Sequence, residues 1–156
     1  MVPPQTVCTV LIVEDSPEVA ELLEMFLEEL PYVRTVTAPD GQQAIEQVRR
    51  SAPDLILLDV MMPKMSGFEV CRQIKHDPRT HDIPVIVVTA LDMDADYERA
   101  RECGADDFIR KPINRVELIM RIESLLELRR LRKQLHDLPY TDDGGDRAGQ
   151  QPPPRP

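Results

Sequence analysis

The sequence predicts an α/β protein, a doubly wound, five-stranded parallel sheet with helices on both faces. Short apolar runs alternate with longer segments of helical periodicity, five of each along the chain. Two of the runs, residues 55–58 and 85–88, contain only Leu, Ile and Val, which is typical of strands buried on both faces. Strands joined through helices run parallel, and crossovers of this kind are right-handed.

The first half of the chain predicts three strands and two helices. The strands cover residues 7–13, 33–38 and 55–58, and the helices cover residues 17–30 and 41–50. Ser16 is suited to cap the first helix, and Pro17 fits its first position. One face of this helix should pack on the sheet until Pro31 ends it. Its apolar residues are Val19, Leu22, Leu23, Phe26, Leu27 and Leu30.

The second half predicts two further strands and three helices. The strands cover residues 85–88 and 107–110, and the helices cover residues 67–75, 97–103 and 114 to about 136. Gly104 should stop the fourth helix. In the last helix, Leu118, Ile122 and Leu125 are expected to face the sheet.

These elements divide the chain into four regions. We expect an N-terminal tail at 1–6, a folded domain at 7–126 and an extension of the last helix at 127–138. Residues 139–156 are rich in Gly, Asp, Gln and Pro, so we expect a disordered tail there.

Charge and hydropathy exclude several functional classes. The formal net charge is -9, from 28 acidic and 19 basic residues, which argues against direct binding of nucleic acid. No apolar run approaches the roughly 18 to 20 residues that a membrane span needs. The N-terminus also lacks the features of a signal peptide, so we expect a cytoplasmic protein. The three widely spaced cysteines are expected to be free, packed thiols.

Polar side chains follow four of the predicted strands. Glu14 and Asp15 come after the first strand, Asp59 after the third, Thr89 after the fourth and Lys111 after the fifth. Parallel strands bring their carboxyl ends to one edge of the sheet, where ligands bind in this class. Carboxylates crowded together need a cation, and hard oxygen ligands suit Mg²⁺ or Mn²⁺. A carboxylate beside such a cation can also accept a phosphoryl group.

The motifs that carry these residues resemble the receiver domain of two-component response regulators. They are VLIVEDS, LILLDVMMPKMSGFEV, PVIVVTA and GADDFIRKP, and together they span about residues 6–126 in the same order as in the family. The resemblance implies a flavodoxin-like fold with strand order 2-1-3-4-5. It implies a signalling switch rather than an enzyme, with a sensor histidine kinase or phosphotransfer protein as partner.

The resemblance also assigns a metal site. Asp15, Asp59 and the main-chain carbonyl of Met61 would bind Mg²⁺ directly, with Mn²⁺ as a possible substitute. Glu14 would reach the ion through water. Many members of the family have Asp where this chain has Glu14.

For the phosphoryl group, the resemblance implies that Asp59 is the acceptor and that Thr89 and Lys111 contact the transferred group. Thr89 and Phe108 would form the switch, although Phe108 has no hydroxyl to bond when it turns inward. The Lys111–Pro112 peptide bond would be cis.

Two positions are expected to tune how long the phosphoryl group persists. Met61 and Leu91 lie two residues after Asp59 and Thr89, where side chains of the family flank the approach of water. Neither side chain can hold a water by a hydrogen bond, so the sequence predicts a long-lived phosphorylated form.

Three alternative functions are less consistent with the residues. A phosphatase with an aspartate nucleophile needs a second carboxylate two residues later, where this chain has Met61. A dinucleotide site needs a glycine-rich turn after the first strand, where Glu14 and Asp15 stand instead. A receiver-like binding module without chemistry would have lost the acid, Thr or Lys positions, and all of them are present.

The sequence offers alternatives for the output of the switch. A homodimer through the fourth helix, fifth strand and last helix is one prediction. Leu128, Leu131, Leu135 and Leu138 form a seam with 3-4-3 spacing beyond the part of the helix that a receiver needs, which predicts self-association, more so when phosphorylated. Alternatively, this segment folds back on the domain or frays. From the resemblance we expect either a stand-alone receiver or the excised N-terminal receiver of a longer response regulator.

Overall fold

The computed structural model describes residues 6–90 and 93–138. Within them, strands and helices alternate as predicted. The strands are β1 Cys8–Val13, β2 Val33–Ala38, β3 Leu55–Asp59, β4 Val85–Thr89 and β5 Asp107–Arg110. The helices are α1 Pro17–Leu27, α2 Gly41–Ser51, α3 Gly67–His76, α4 Met93–Cys103 and α5 Arg115–Asp137. None of the described helices is long and apolar enough to cross a membrane.

All neighbouring strands are parallel, and their order is β2-β1-β3-β4-β5, which confirms the expected topology. Every residue of β3 and β4 is buried, as their uninterrupted apolar sequences indicate. This order places β1 and β4 on either side of β3. The residues that end these three strands therefore meet at one edge of the sheet.

Two hydrophobic cores lie on opposite faces of the sheet. One joins the sheet to α2, α3 and α4 through residues such as Val48, Val70 and Ala100. The other joins it to α1 and α5 through residues such as Leu23 and Ile122. Alternate residues along each strand point to opposite faces, so one apolar strand contributes to both cores.

The first helix ends earlier than predicted. It stops at Leu27 instead of Leu30, and the Leu30 N–H donates to the Leu27 carbonyl at 3.0 Å. Pro31 prevents the helix from reaching Leu30, because it has no N–H to donate to the Leu27 carbonyl and it disfavours a helical conformation in the residue before it. Leu22 was expected to face the sheet and is instead 44% exposed, since the buried stripe is narrower than the full apolar set.

The boundaries of α4 and α5 also differ from the predictions. Helix α4 begins at Met93, four residues before the predicted start, in a polar stretch whose periodicity gave no signal. In α5, Leu118 and Ile122 face the sheet as expected, while Leu126 is the third buried residue and Leu125 is only partly buried.

The last helix continues without a break to Asp137. Arg129 anchors this part of α5 to the loops that precede β3 and β4. Its guanidinium lies 3.7 Å from the Asp54 carboxylate and donates to the Asp82 carbonyl at 3.0 Å. Lys133 lies 3.9 Å from Asp54. Residues 1–5 of the predicted N-terminal tail (1–6) and the whole of the predicted tail at 139–156 lie outside the described residues.

Candidate functional site

Three acidic side chains converge where β1 and β3 end. Glu14 and Asp15 directly follow β1, and Asp59 is the last residue of β3. One carboxylate oxygen from each lies within 4.8 Å of the other two. The strand order that makes β1 and β3 neighbours produces this arrangement, as the sequence predicted.

Two of these carboxylates are removed from solvent. Glu14 is 6% exposed and Asp59 is 3% exposed, whereas Asp15 is exposed. Burial, together with the neighbouring Asp59 carboxylate, raises the pKa of Glu14 to about 7, although Lys111 opposes the shift. The Ser16 N–H donates to Glu14 at 3.2 Å. Lys111 therefore offsets only part of the effect of burial and of Asp59 on Glu14.

Lys111 supplies a positive charge to the site from the segment that follows β5. Its Nζ lies 3.4 Å from Asp59 Oδ1 and 3.8 Å from Glu14 Oε2. The Lys111–Pro112 peptide bond is cis, as the sequence resemblance implied. The ammonium group of Lys111 therefore lies beside both buried carboxylates. From this position it can also form a charge-assisted hydrogen bond to an anion that enters the site.

The loop between β3 and α3 fixes the Asp59 carboxylate. The Met61 N–H donates to Asp59 Oδ1 at 3.1 Å, while the Met61 side chain is 55% exposed. Lys64 has φ +72°, and the Met65 N–H donates to the Pro63 carbonyl at 2.9 Å, which closes a γ-turn.

Gly67, the first residue of α3, lets this helix approach the end of β3. A Cβ atom at this position would lie 2.2 Å from the Asp59 carbonyl oxygen and 2.8 Å from the Val60 Cα. Both are main-chain atoms that cannot turn aside. Glycine is therefore required at the position that sets the distance between α3 and the Asp59 backbone.

Thr89 ends β4 and is fully buried. Its hydroxyl donates to Asp96 Oδ2 on α4 at 3.2 Å, and Asp96 is 4% exposed. No pattern in the sequence identifies Asp96 as a site residue. It lies within a polar helical segment and follows no strand, so neither periodicity nor strand position marks it.

Phe108 on β5 packs against the α2–α4 core and meets Tyr97 of α4 edge to face. The ring centroids are 5.8 Å apart and the planes make an angle of 67°. Phe108 therefore links the edge strand to the helix that carries Asp96. Leu91, the second predicted tuning residue, lies outside the described residues.

The donor set fits the predicted cation. Three converging carboxylates offer hard oxygen ligands, and the exposed Asp15 leaves a side open to water. Mg²⁺ prefers such sites, with one or two carboxylates and several retained waters.

The cysteines take no part: Cys71 and Cys103 are buried free thiols on α3 and α4, and Cys8 is a partly buried one on β1.

A family model of the response regulator receiver domain matches residues 10–123. Response regulator PleD of Caulobacter vibrioides is 43% identical over 140 residues, which are 90% of this chain and 30% of that protein. Response regulator GtcR of Aneurinibacillus migulanus is 40% identical over 118 residues, which are 76% of this chain and 47% of that protein. The chain thus spans about half or less of the length of these relatives.

Solved structures agree in fold. The signal receiver domain of a signal transduction histidine kinase from Syntrophus aciditrophicus is 43% identical with a TM-score of 0.73, covering 78% of this chain and 91% of that one. The receiver domain of the sensor histidine kinase PA1611 from Pseudomonas aeruginosa is 29% identical with a TM-score of 0.72, covering 78% and 99%. Its structure holds a magnesium ion in the active site cleft.

Proposed function

This chain belongs to the response regulator receiver domain family, and from that premise we propose that it is a phosphoacceptor switch in which Asp59 is the acceptor. The observation that carries the proposal is the position of the Asp59 carboxylate. It is buried at the end of β3, held by a main-chain N–H, faced by an ammonium group and grouped with two further acids.

In the proposed reaction, an oxygen of the Asp59 carboxylate attacks phosphorus. The new P–O bond forms as the P–N bond of a phosphohistidine breaks, and the electron pair of that bond returns to the imidazole. Lys111 holds one oxygen of the transferred group and Thr89 donates its hydroxyl to another. The chain then catalyses only its own phosphorylation and the later loss of phosphate.

Glu14, Asp15, Asp59 and the Met61 carbonyl would hold Mg²⁺, with Mn²⁺ as a substitute. When bound, the cation supplies the positive charge that lets a phosphoryl group approach three acids. The raised pKa of Glu14 is consistent with this assignment, because burial and the neighbouring Asp59 carboxylate disfavour the charged form of Glu14, and a bound cation would stabilise that form.

We propose a sensor histidine kinase or a phosphotransfer protein as the phosphoryl donor. The relatives suggest a second possibility for the output: the chain acts as the receiver of a longer response regulator, since GtcR and PleD are two to three times longer than the part that it matches. The two arrangements share the same phosphorylation chemistry.

For the chain taken by itself, we propose that the effect of phosphorylation is association with a second copy of the same chain. The surface formed by α4, β5 and α5 exposes Tyr97, Val116 and Met120. Further along α5, the leucine seam (Leu128, Leu131, Leu135 and Leu138) is between 43% and 71% exposed. Its heptad spacing suits a parallel pair of helices, in which Glu127 of one copy would lie near Arg132 of the other.

We expect the protein to self-associate through this seam, more strongly when phosphorylated. Replacing Leu131 and Leu135 by Glu should give a monomer, since each helix would then bring two charges, four in all, into the buried seam of a helix pair. Light scattering with and without beryllofluoride measures this. His136→Glu, an exposed position off the seam, is the matched control and should still associate. A natural protein that stays monomeric at all concentrations in both states would contradict the proposal.

The phosphorylated form is expected to be long-lived. Met61 can cover the phosphoryl group with apolar atoms and cannot orient a water, and Leu91 has the same chemistry. The double variant Met61→Asn with Leu91→Glu should lose phosphate faster, on the order of tenfold, because polar side chains would orient the attacking water. Decay in Mg²⁺ followed by intact mass tests this. Met25→Asn, an exposed methionine of α1, is the control. Equal decay rates would show that these positions do not control water access.

A further inference from the structure

Asp96 is a buried carboxylate that the proposed phosphorylation chemistry does not use. It lies on α4, is 4% exposed, and accepts a hydrogen bond from the hydroxyl of Thr89 at 3.2 Å. Thr89 itself is fully buried. A carboxylate is costly to bury without a donor, so this contact helps to keep α4 packed against the end of β4.

The Thr89 hydroxyl has one hydrogen to donate. It can donate that hydrogen to Asp96 or to a phosphoryl oxygen on Asp59, but not to both. We propose that Asp96 is a positioning residue that holds Thr89 in its resting conformation, and that phosphorylation switches the domain by competing for this one hydrogen. The inference rests on the proposed contact between Thr89 and the phosphoryl group.

The competition gives the signal a direct route into α4. When Thr89 turns to the phosphoryl group, the Asp96 carboxylate loses this donor while it is still buried. The beginning of α4 must then shift to give the carboxylate another partner or water. Tyr97, the next residue, packs on Phe108. A shift of α4 therefore changes the Tyr97–Phe108 contact at the same time as the Thr89 contact.

Two substitutions at position 96 separate the hydrogen bond from the charge. Asp96→Ala removes the acceptor, while Asp96→Asn removes the charge and keeps an acceptor oxygen. In the unphosphorylated protein, the amide signals of Thr89 and Phe108 in Asp96→Ala should move towards their positions in the natural protein with beryllofluoride. Asp96→Asn should stay close to the natural protein.

Asp96→Ala should also accept phosphate from acetyl phosphate faster, by about tenfold, because the bond that opposes the active conformation is absent. In a Thr89→Val background, where the donor is missing, Asp96→Ala should have no further effect on the Phe108 signal. Thermal unfolding of each variant establishes that it is folded.

The proposal is overturned if the Thr89 and Phe108 signals do not move in folded Asp96→Ala, or if Asp96→Asn behaves like Asp96→Ala. Either result, in a protein whose Asp59 is still phosphorylated normally, would reject only the proposed role of Asp96 and leave the proposed function standing. A failure of the natural protein to accept phosphate would instead reject the proposed function. The signals of the unphosphorylated variants do not depend on that outcome.

Discussion

Replacing Asp59 with asparagine should abolish phosphorylation completely. Incubation of the natural protein with acetyl phosphate and Mg²⁺ should add one phosphoryl group by intact mass, and Asp59→Asn should add none. The amide of asparagine has nearly the same shape as the carboxylate but is not a nucleophile towards phosphorus. Because Asp59 is 3% exposed and its Oδ1 already accepts a hydrogen bond from Met61, the isosteric change should preserve the fold.

Asp82→Asn is the matched control. Asp82 is an acid of the same type, its side chain is 66% exposed, and it lies in the loop before β4, at the other edge of the sheet. This variant should still accept one phosphoryl group. A second phosphorylated site in the natural protein, or phosphorylation that persists in Asp59→Asn, would overturn the assignment of Asp59.

Removal of divalent cations should stop phosphorylation of the natural protein. Without a divalent cation, an incoming phosphoryl donor meets the carboxylates of Glu14, Asp15 and Asp59. The ammonium group of Lys111 lies close to two of them, Glu14 and Asp59. Each like-charge contact at such distances costs on the order of 4 kcal/mol at the effective dielectric of a protein surface. Repulsion should therefore outweigh the attraction of one ammonium group.

Phosphorylation by acetyl phosphate in excess chelator, and again after Mg²⁺ or Mn²⁺ is restored, measures this effect. Both cations should restore it. Asp15→Asn should require more Mg²⁺ for the same extent of phosphorylation, because it removes one charged ligand. An unchanged rate in chelator would contradict the metal assignment, and an unchanged Mg²⁺ requirement in Asp15→Asn would remove Asp15 from the ligand set.

The strand-end residues could be predicted because topology acts on them in a simple way. Parallel strands bring their carboxyl ends to the same edge of the sheet. Recognising the strands as parallel is therefore enough to place together the residues that end or follow β1, β3, β4 and β5, which are Glu14, Asp59, Thr89 and Lys111. The chemistry at that edge then follows from charge. The strand order itself came from resemblance, since alternating elements alone do not specify which strands are neighbours.

Side-chain partners that depend on packing could not be predicted in this way. Asp96 reaches Thr89 across the contact between α4 and β4, and nothing in a polar helical stretch marks one acid as the buried one. The prediction that Leu22 faces the sheet was wrong for a related reason. Its spacing on α1 fits the apolar stripe, but its side chain lies at the edge of that stripe and is exposed. The periodicity of apolar residues identifies which face of a helix is buried, but it does not show how wide the buried part of that face is.

The anchoring of α5 separates two ends of the molecule. Arg129 binds residues that precede β3 and β4, so this part of the helix lies at the amino edge of the sheet, while Asp59 lies at the carboxyl edge. A phosphoryl donor approaching Asp59 and a protein bound to residues 131–138 would therefore occupy different sides of the domain. Both could be engaged at once, and the phosphoryl group could be replenished without release of the output complex.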